Sequence, residues 1–485
     1  MTIRGISKSK FKRSVKWDSW GALAFVFGLV FVQGIVYVTK VGNLYVDVVY
    51  PFAVIVLSLN FAFRPRITLQ SIESCFYKGM TPFLTVVVLS VFLAVGSSIT
   101  HVGVQISSCV NGLVVLLFSL IIYFAVISLR DRMRFLVRGL FFGLLVNILV
   151  SFFQYAAFQS GTAFTLYDCF PQPAFYISVP WGAGSAWAQN LRYLVYSFRA
   201  QGLYLEVSYF VGAATMIYVV SMGFLDMSGT AKAVVFLLLL FLFAMSNTGN
   251  LVLFIGFTLL THFLLSASHD KTTSFLTKKR SSAEWIVQLV VIAILVGLCI
   301  YALSNIDDVT SALDVDNLVK GLQGGIESSD ISNSDNRERF LFMQNGLSEF
   351  MRYPWGGGYN MAPTLTFYDF GTNATFSYAL TLLVEMGPIG LIAYGYLVLS
   401  MVLRLLVNDG RLAGSKACVA VALIALLVFQ AGNGIGLTPI AWVIFALASI
   451  AIVSGKDELS DYCCEGETAS STGGKKSAAG LSRNF

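Results

Sequence analysis

The chain has 485 residues, 56% hydrophobic and only 12% charged, with a mean hydropathy of +0.75. A water-soluble globule cannot hide that much apolar surface, so the composition excludes a soluble enzyme and makes lipid the solvent. The formal charge of +6 calls for no nucleic acid, because its basic residues fall into patches that suit membrane orientation.

About twelve stretches are long enough to cross a hydrocarbon core ~30 Å thick at ~1.5 Å per residue. In chain order they are 20–38, 44–63, 80–99, 110–129, 135–157, 207–225, 232–246, 250–267, 285–303, 388–407, 417–432 and 438–454. The pair 232–246 and 250–267 flanks SNTGN and reads as one broken hairpin. Arg4, Lys8, Lys10, Lys12, Arg13 and Lys16 precede the first stretch, and no small-residue cleavage site follows it. It therefore reads as an uncleaved signal anchor. Further basic clusters stand at Arg64/Arg66/Lys78, Arg130/Arg132/Arg134, Lys271/Lys278/Lys279/Arg280 and Arg404/Arg411/Lys416. These are alternate loops, so all fall on one side, and both termini are expected in the cytoplasm. The expected organisation is a transmembrane domain over 1–454 and a polar, disordered cytoplasmic tail over 455–485. Among the seven cysteines, only Cys169 is expected outside, so no structural disulfide is anticipated, and no metal-ligand spacing is present.

Two outer loops are long, 158–206 and 304–387. Ionisable residues inside the spans are scarce, Asp47 being one candidate near an outer end. A transporter would instead concentrate polar groups at the bilayer midplane. The second loop contains NSDNRERFLFMQNGLSEFMRYPWGGG, residues 333–358. Asp335 and Glu338 make a capping box, and Phe340, Met343, Leu347 and Phe350 follow at helical spacing. This predicts an amphipathic helix on the outer membrane face, ended by Pro354 and a turn at Gly356–Gly358. Arg337 and Arg339 sit in its first turns, where a helix dipole disfavours cations. A planar, always-charged guanidinium there suits a phosphate or pyrophosphate. The first loop ends in RYLVYSFRAQGLYLEVSYF, residues 192–210, carrying Arg192, Arg199, Gly202, Tyr204 and Glu206. Arginines and carboxylates near the bilayer surface fit a lipid-linked phosphate, and equally plain lipid head groups.

Three patches carry a family likeness: Arg199-Ala-Gln-Gly202 followed by Glu206; Arg339 fifteen residues before Pro354 and the glycine turn; and Glu385, Gly387 and Gly390 entering a membrane segment. In this order the chain resembles bacterial O-antigen polymerases of the Wzy type and the related O-antigen ligases, over residues 199 to about 400. Relatives often carry Trp four residues after the second-patch arginine, where this chain has Met343. Ligases carry His-Asn shortly before the Glu-x-Gly, where this chain has Phe376 and Ser377. The relatives' Ser-Arg-x-Gly is altered here to Ser246-Asn247-Thr248-Gly249. The absent histidine favours polymerase over ligase.

The resemblance implies an all-α polytopic membrane protein with about twelve transmembrane helices, two large periplasmic loops and a GT-C-like glycosyltransferase architecture in the bacterial inner membrane. It implies a metal-independent transferase without a cofactor. The partners would be undecaprenyl-pyrophosphate-linked oligosaccharide, membrane lipids and a polysaccharide chain-length regulator. Arg199 and Arg339 would hold the pyrophosphate, with Arg192, Arg337 and Arg352 in support. Glu206, Asp335 and Glu385 are candidate general bases, Glu206 preferred, and Tyr204 a candidate sugar contact. A ligase acting on lipid A core and a lipid-linked oligosaccharide flippase are the alternatives.

Overall fold

The structure, a computed structural model, describes residues 18–31, 37–41, 44–100, 105–162, 164, 198, 200–204, 207–246, 248, 250–269, 335–371, 375, 377–407, 414–433 and 436–454. At 37–41, 44–46, 266–269, 335–340, 407 and 432–433 it describes the backbone alone. The described chain is helical apart from one short hairpin. In order come α1 (Ser19–Val30), β1 (Tyr37–Val41), β2 (Leu44–Asp47), α2 (Val49–Phe63), α3 (Pro65–Cys75), α4 (Met80–Thr100), α5 (Ser107–Ser128) and α6 (Met133–Gln159). Then follow α7 (Val207–Phe224), α8 (Gly229–Met245), α9 (Asn250–His269), α10 (Asp335–Arg352), α11 (Ala362–Phe370), α12 (Tyr378–Val407), α13 (Gly414–Asn433) and α14 (Pro439–Val453).

Among the described residues six helices are long and apolar enough to cross a membrane, α4, α5, α6, α7, α12 and α13. The bent pair α2–α3 would make a seventh, and α1, α8, α9 and α14 are shorter apolar helices. The chain is thus a multi-pass helical protein built for lipid. The expected segment 285–303 and the tail lie outside the described residues.

Two expectations change at the N-terminal end. The predicted segments 20–38 and 44–63 are both trimmed, because the antiparallel pair β1–β2 takes up Tyr37 to Asp47. The run YVTKV is β-branched and favours a strand over a helix end. Asp47 closes the hairpin and is buried, its Oδ1 accepting from the Val49 amide at 2.9 Å, so it serves the start of α2. The stretch after Phe63, expected as a loop, forms α3, with Pro65 at its first turn and a 119° bend from α2.

Packing explains the order of the bundle. α1 lies against α6 where Gly28 and Gly139 face each other: a Cβ on Gly28 would come 2.2 Å from the Leu136 carbonyl oxygen. Small residues let membrane helices approach closely enough for dispersion to hold them. α7 runs through the middle, packed on α6, α9 and α13, and nearly every residue of it is buried. α4 sits at the edge, with Val88, Phe92 and Ile99 exposed at 60, 74 and 77%.

Among the described residues, basic residues of three of the basic clusters gather at one end. Arg132 pairs with Asp18 (2.6 Å), Arg64 with Asp131, and Arg134 with Asp226 (3.5 Å). The Arg132 pairing holds Asp18 below the usual carboxylate range against the upward push of burial. The Arg404 guanidinium covers the Tyr77 ring at 5.3 Å. This end is called the basic end; the site described next is at the far end.

Candidate functional site at the far end

The first resemblance patch is a turn gripped from α6 and from the end of α8. Gly202 has φ +58°, a conformation that suits glycine. Gln154 of α6 accepts from the Gln201 and Gly202 amides (3.1 and 3.0 Å) and donates to the Gly202 carbonyl (2.9 Å). Asn147, two turns earlier, accepts from the Leu203 amide at 2.7 Å. Ser246, which ends α8, accepts from the Ala200 amide at 2.7 Å. The Phe198 ring packs on Tyr155 and Phe158. A Cβ on Gly202 would lie 2.4 Å from Asn147 Oδ1, so the approach itself needs glycine. Arg192, Arg199 and Glu206 lie outside the described residues. Tyr204 is buried, its hydroxyl donating to the Phe31 carbonyl (3.3 Å) and its ring stacked on Phe210. Burial, with Asp47 nearby, pushes that hydroxyl above its ordinary pKa.

The second and third patches interlock. The expected helix is present as α10, and Pro354 and the glycines follow it. α12 begins at Tyr378, ten residues before the predicted 388, and breaks at Gly387 (φ +63°) before Pro388. The glycine triplet docks on that break. The Gly357 amide donates to the Val384 carbonyl (2.7 Å) and the Gly358 amide to the Glu385 carbonyl (2.8 Å). Those carbonyls are free because Gly387 and Pro388 interrupt the helical ladder. The Ser97 hydroxyl of α4 donates to the Gly357 carbonyl at 2.8 Å. The triplet's amides are therefore engaged by protein and make no phosphate nest.

Glu385 is buried, and its carboxylate accepts from the Asn360 and Ala362 amides. Ala362 opens α11, so Glu385 caps that helix from a neighbouring one. Asn360 takes φ +59° and donates through Nδ2 to the Ser108 carbonyl of α5 at 2.7 Å. Tyr359 lies buried beside Glu385, and burial raises its hydroxyl pKa well above normal.

The face that α10 buries differs from the expected apolar stripe. Leu341, Gln344, Asn345, Ser348 and Glu349 turn inward, while Met343 and Met351 are exposed at 38 and 61%. The reason is the partner surface: α10 packs on α11 and α12, with Asp369 of α11 beside Glu349 and Thr375, just before α12, against Gly346. Asp335, Arg337 and Arg339 lie on the first turns of α10 by backbone position alone. Arg352 is half exposed, 2.9 Å from Asp369 and over the Phe370 ring at 4.9 Å.

A carboxyl pair was missed by the sequence reading. Glu349 is fully buried beside Asp369, and burial first, then the Asp369 charge, push its pKa up to about 8. Tyr353 next to them is pushed up to about 12 by burial and by both carboxylates. Asn147 and Gln154 were missed as well. Their signal was available: two amides seven residues apart share one face of an otherwise apolar segment. Glu349 left no such mark, because Asp369 is twenty residues away in another helix.

No protein-family model matches the chain, and no curated protein matches it. The class that fold and composition define is a polytopic helical membrane protein.

Proposed function

We propose that the chain is a glycosyltransferase of the Wzy type, an O-antigen or related surface polysaccharide polymerase. In this reading it has about twelve crossings in a GT-C-like arrangement, lies in the bacterial inner membrane with both termini cytoplasmic, and presents its far end to the periplasm. The donor is a growing glycan on undecaprenyl pyrophosphate and the acceptor a single repeat unit on the same lipid. The acceptor hydroxyl oxygen attacks the anomeric carbon, the bond to the pyrophosphate oxygen breaks, and undecaprenyl pyrophosphate leaves with that electron pair. Arg199 and Arg339 steady the growing negative charge, and Glu206 takes the hydroxyl proton. Arg192, Arg337 and Asp335 assist at the head group. Arg352, half exposed, assists at the head group as well, while Glu385 and Tyr204 border the site with their polar atoms held by main-chain groups.

One observation carries this reading. The glycine triplet that follows Arg339 and the Glu-x-Gly patch are joined by two main-chain hydrogen bonds, although 27 residues separate Gly358 from Glu385 (385 − 358). A transporter has no evident need for outer-loop motifs fixed to each other in this way.

The test is a clean deletion in the native host, complemented by wild type and by Arg339→Ala, with surface polysaccharide resolved on a gel. Lipid A core carrying single repeat units identifies a polymerase. Loss of core-linked repeats with long glycan on the carrier identifies a ligase. An unchanged ladder rejects the glycan assignment. Arg339→Ala at normal protein level is expected to lower polymer formation by about 10²–10³-fold, the cost of removing one preorganised charge-stabilising donor.

A further inference from the structure

The junction between α10 and α11 is held by groups that cannot all be charged at once. Glu349 stands in the last turn of α10 with no exposed side-chain surface. Among the described residues no N–H or O–H donor reaches either of its carboxyl oxygens. The Asp369 carboxylate of α11 faces the same Arg352 nitrogen as Glu349, and its charge acts on Glu349. Arg352 spans the two, 2.9 Å from Asp369 and 4.0 Å from Glu349. One guanidinium facing two carboxylates leaves one uncompensated negative charge beside the buried Glu349, unless one carboxyl keeps its proton.

We infer that Glu349 and Asp369 form a proton-operated clasp between α10 and α11, which gives up one proton when it opens. In the closed clasp Glu349 is neutral and donates its O–H to Asp369, and Asp369 is neutralised by Arg352. The cluster then has no net charge and its hydrogen bonds close. When α10 and α11 part, Glu349 meets water and ionises as an ordinary carboxylic acid.

Among the described residues the other groups at this junction do not supply a substitute charge. Directly after α10 the remaining neighbour is Tyr353, whose hydroxyl stays neutral beside the pair. On α11 it is Tyr368, which acts on Tyr353. α12, also packed on α10, brings Tyr378 and Glu385, and these face Tyr359 and Cys109. The charged residues at 335–339 lie more than two helical turns up α10.

The direction with pH follows from linkage. The clasped Glu349 holds its proton up to about pH 8, whereas an opened one loses it near its ordinary value of 4.5. Between those values opening releases a proton, so the closed form is favoured at low pH and loosens as pH rises, levelling off above about 8. The device sits in the loop that carries Arg339, so outer pH would govern how firmly that loop is held. It does not depend on the transferase reading, because it concerns only the clasp.

Hydrogen exchange of the whole protein in lipid nanodiscs tests it, with rates corrected for the intrinsic pH dependence of amide exchange. Amides at the end of α10 and in α11 are expected to lose protection by about tenfold per pH unit from pH 6 towards 8 in wild type. Peptides of α7 and α14 serve as the internal reference. Glu349→Gln, which is neutral and nearly isosteric, is expected to fold normally and to show no such slope. A wild-type protection flat over this range overturns the clasp, and so does a Glu349→Gln slope as steep as wild type. Neither result bears on whether the protein makes polysaccharide.

Discussion

The Gly358 amide donates to the Glu385 carbonyl at 2.8 Å, while the Glu385 carboxylate accepts from the amides of Asn360 and Ala362. One residue of α12 thus holds the turn at both ends. The turn can approach only because Gly358 takes φ +113° and brings its Cα against α4, where a Cβ would lie 2.4–2.6 Å from Ala94 atoms, including its backbone. Gly358→Ala therefore meets strain and backbone overlap together, and is expected to cost about 2–3 kcal/mol. Gly395→Ala on the same α12 has nothing within 4 Å of the added methyl. It should be neutral, or stabilising by up to about 1 kcal/mol. Thermal unfolding of both purified variants, read by fluorescence-detected gel filtration, checks the contrast. Equal melting points would remove the interlock from this account.

Gln154 serves three main-chain groups of the Ala200–Leu203 turn with one side chain. Gln154→Leu leaves the buried Gly202 amide and carbonyl and the part-buried Gln201 amide without this partner, a loss of about 3 kcal/mol. The turn directly follows Arg199. If Arg199 acts in glycosyl transfer, Gln154→Leu should also shorten or abolish the polysaccharide ladder at permissive temperature, with protein level restored. Gln154→Glu, which keeps the two acceptor contacts, should recover part of it. A normal ladder from Gln154→Leu would separate this turn from the activity.

How much of this was legible beforehand depends on the range of the signal. The hydropathy of α4–α7 and α13 is local and intense, and their predicted limits fall within a few residues of those observed. Asp335, Pro354 and the glycines are local punctuation, and they marked α10 and its end correctly. The hairpin at Tyr37–Asp47 was not legible, because an apolar β-branched run satisfies a hydropathy count in either conformation. The buried face of α10 was not legible either. Periodicity locates an apolar stripe, but whether lipid or protein covers it depends on the partner, and α11 and α12 present polar groups there. In the site, the glycine motifs were visible, while the pairing of Glu349 with Asp369 exists only once α10 meets α11.

Arg352 carries the counter-charge of the far-end cluster, and Arg352→Gln leaves two carboxyl groups facing each other without it. The sign is set by the proton on Glu349. Below about pH 8 Glu349 keeps that proton with or without Arg352, so the loss there does not change with pH. Above about 8 wild-type Glu349 ionises beside Arg352, while the variant has no cation to meet that charge, so the loss grows. Because Arg352 is half exposed, the effect is screened and should add only about 1 kcal/mol by roughly pH 9. Chemical unfolding at about pH 6 and about pH 9, compared with wild type, reads it. A larger loss at the lower pH than at the higher would contradict the assignment of the proton to Glu349.

The two ends of the bundle can be assigned to sides of the membrane by accessibility. Trp355 at the far end is 72% exposed, and the Asp226 side chain at the basic end is 91% exposed. The described cysteines Cys75, Cys109 and Cys418 are all buried, and Cys169, Cys299, Cys463 and Cys464 are replaced by serine in the background used for labelling. Basic loops favour the cytoplasmic side, since lysine and arginine near short spans resist translocation. Trp355→Cys should therefore react with a membrane-impermeant maleimide once the outer membrane is permeabilised, and Asp226→Cys only after the inner membrane is opened. The same orientation is a condition of the polymerase reading, because the lipid-linked repeat units it would join are used outside the inner membrane. Labelling of Asp226→Cys first would invert the protein, place Arg339 and the clasp in the cytoplasm, and rule that reading out whatever the gel shows.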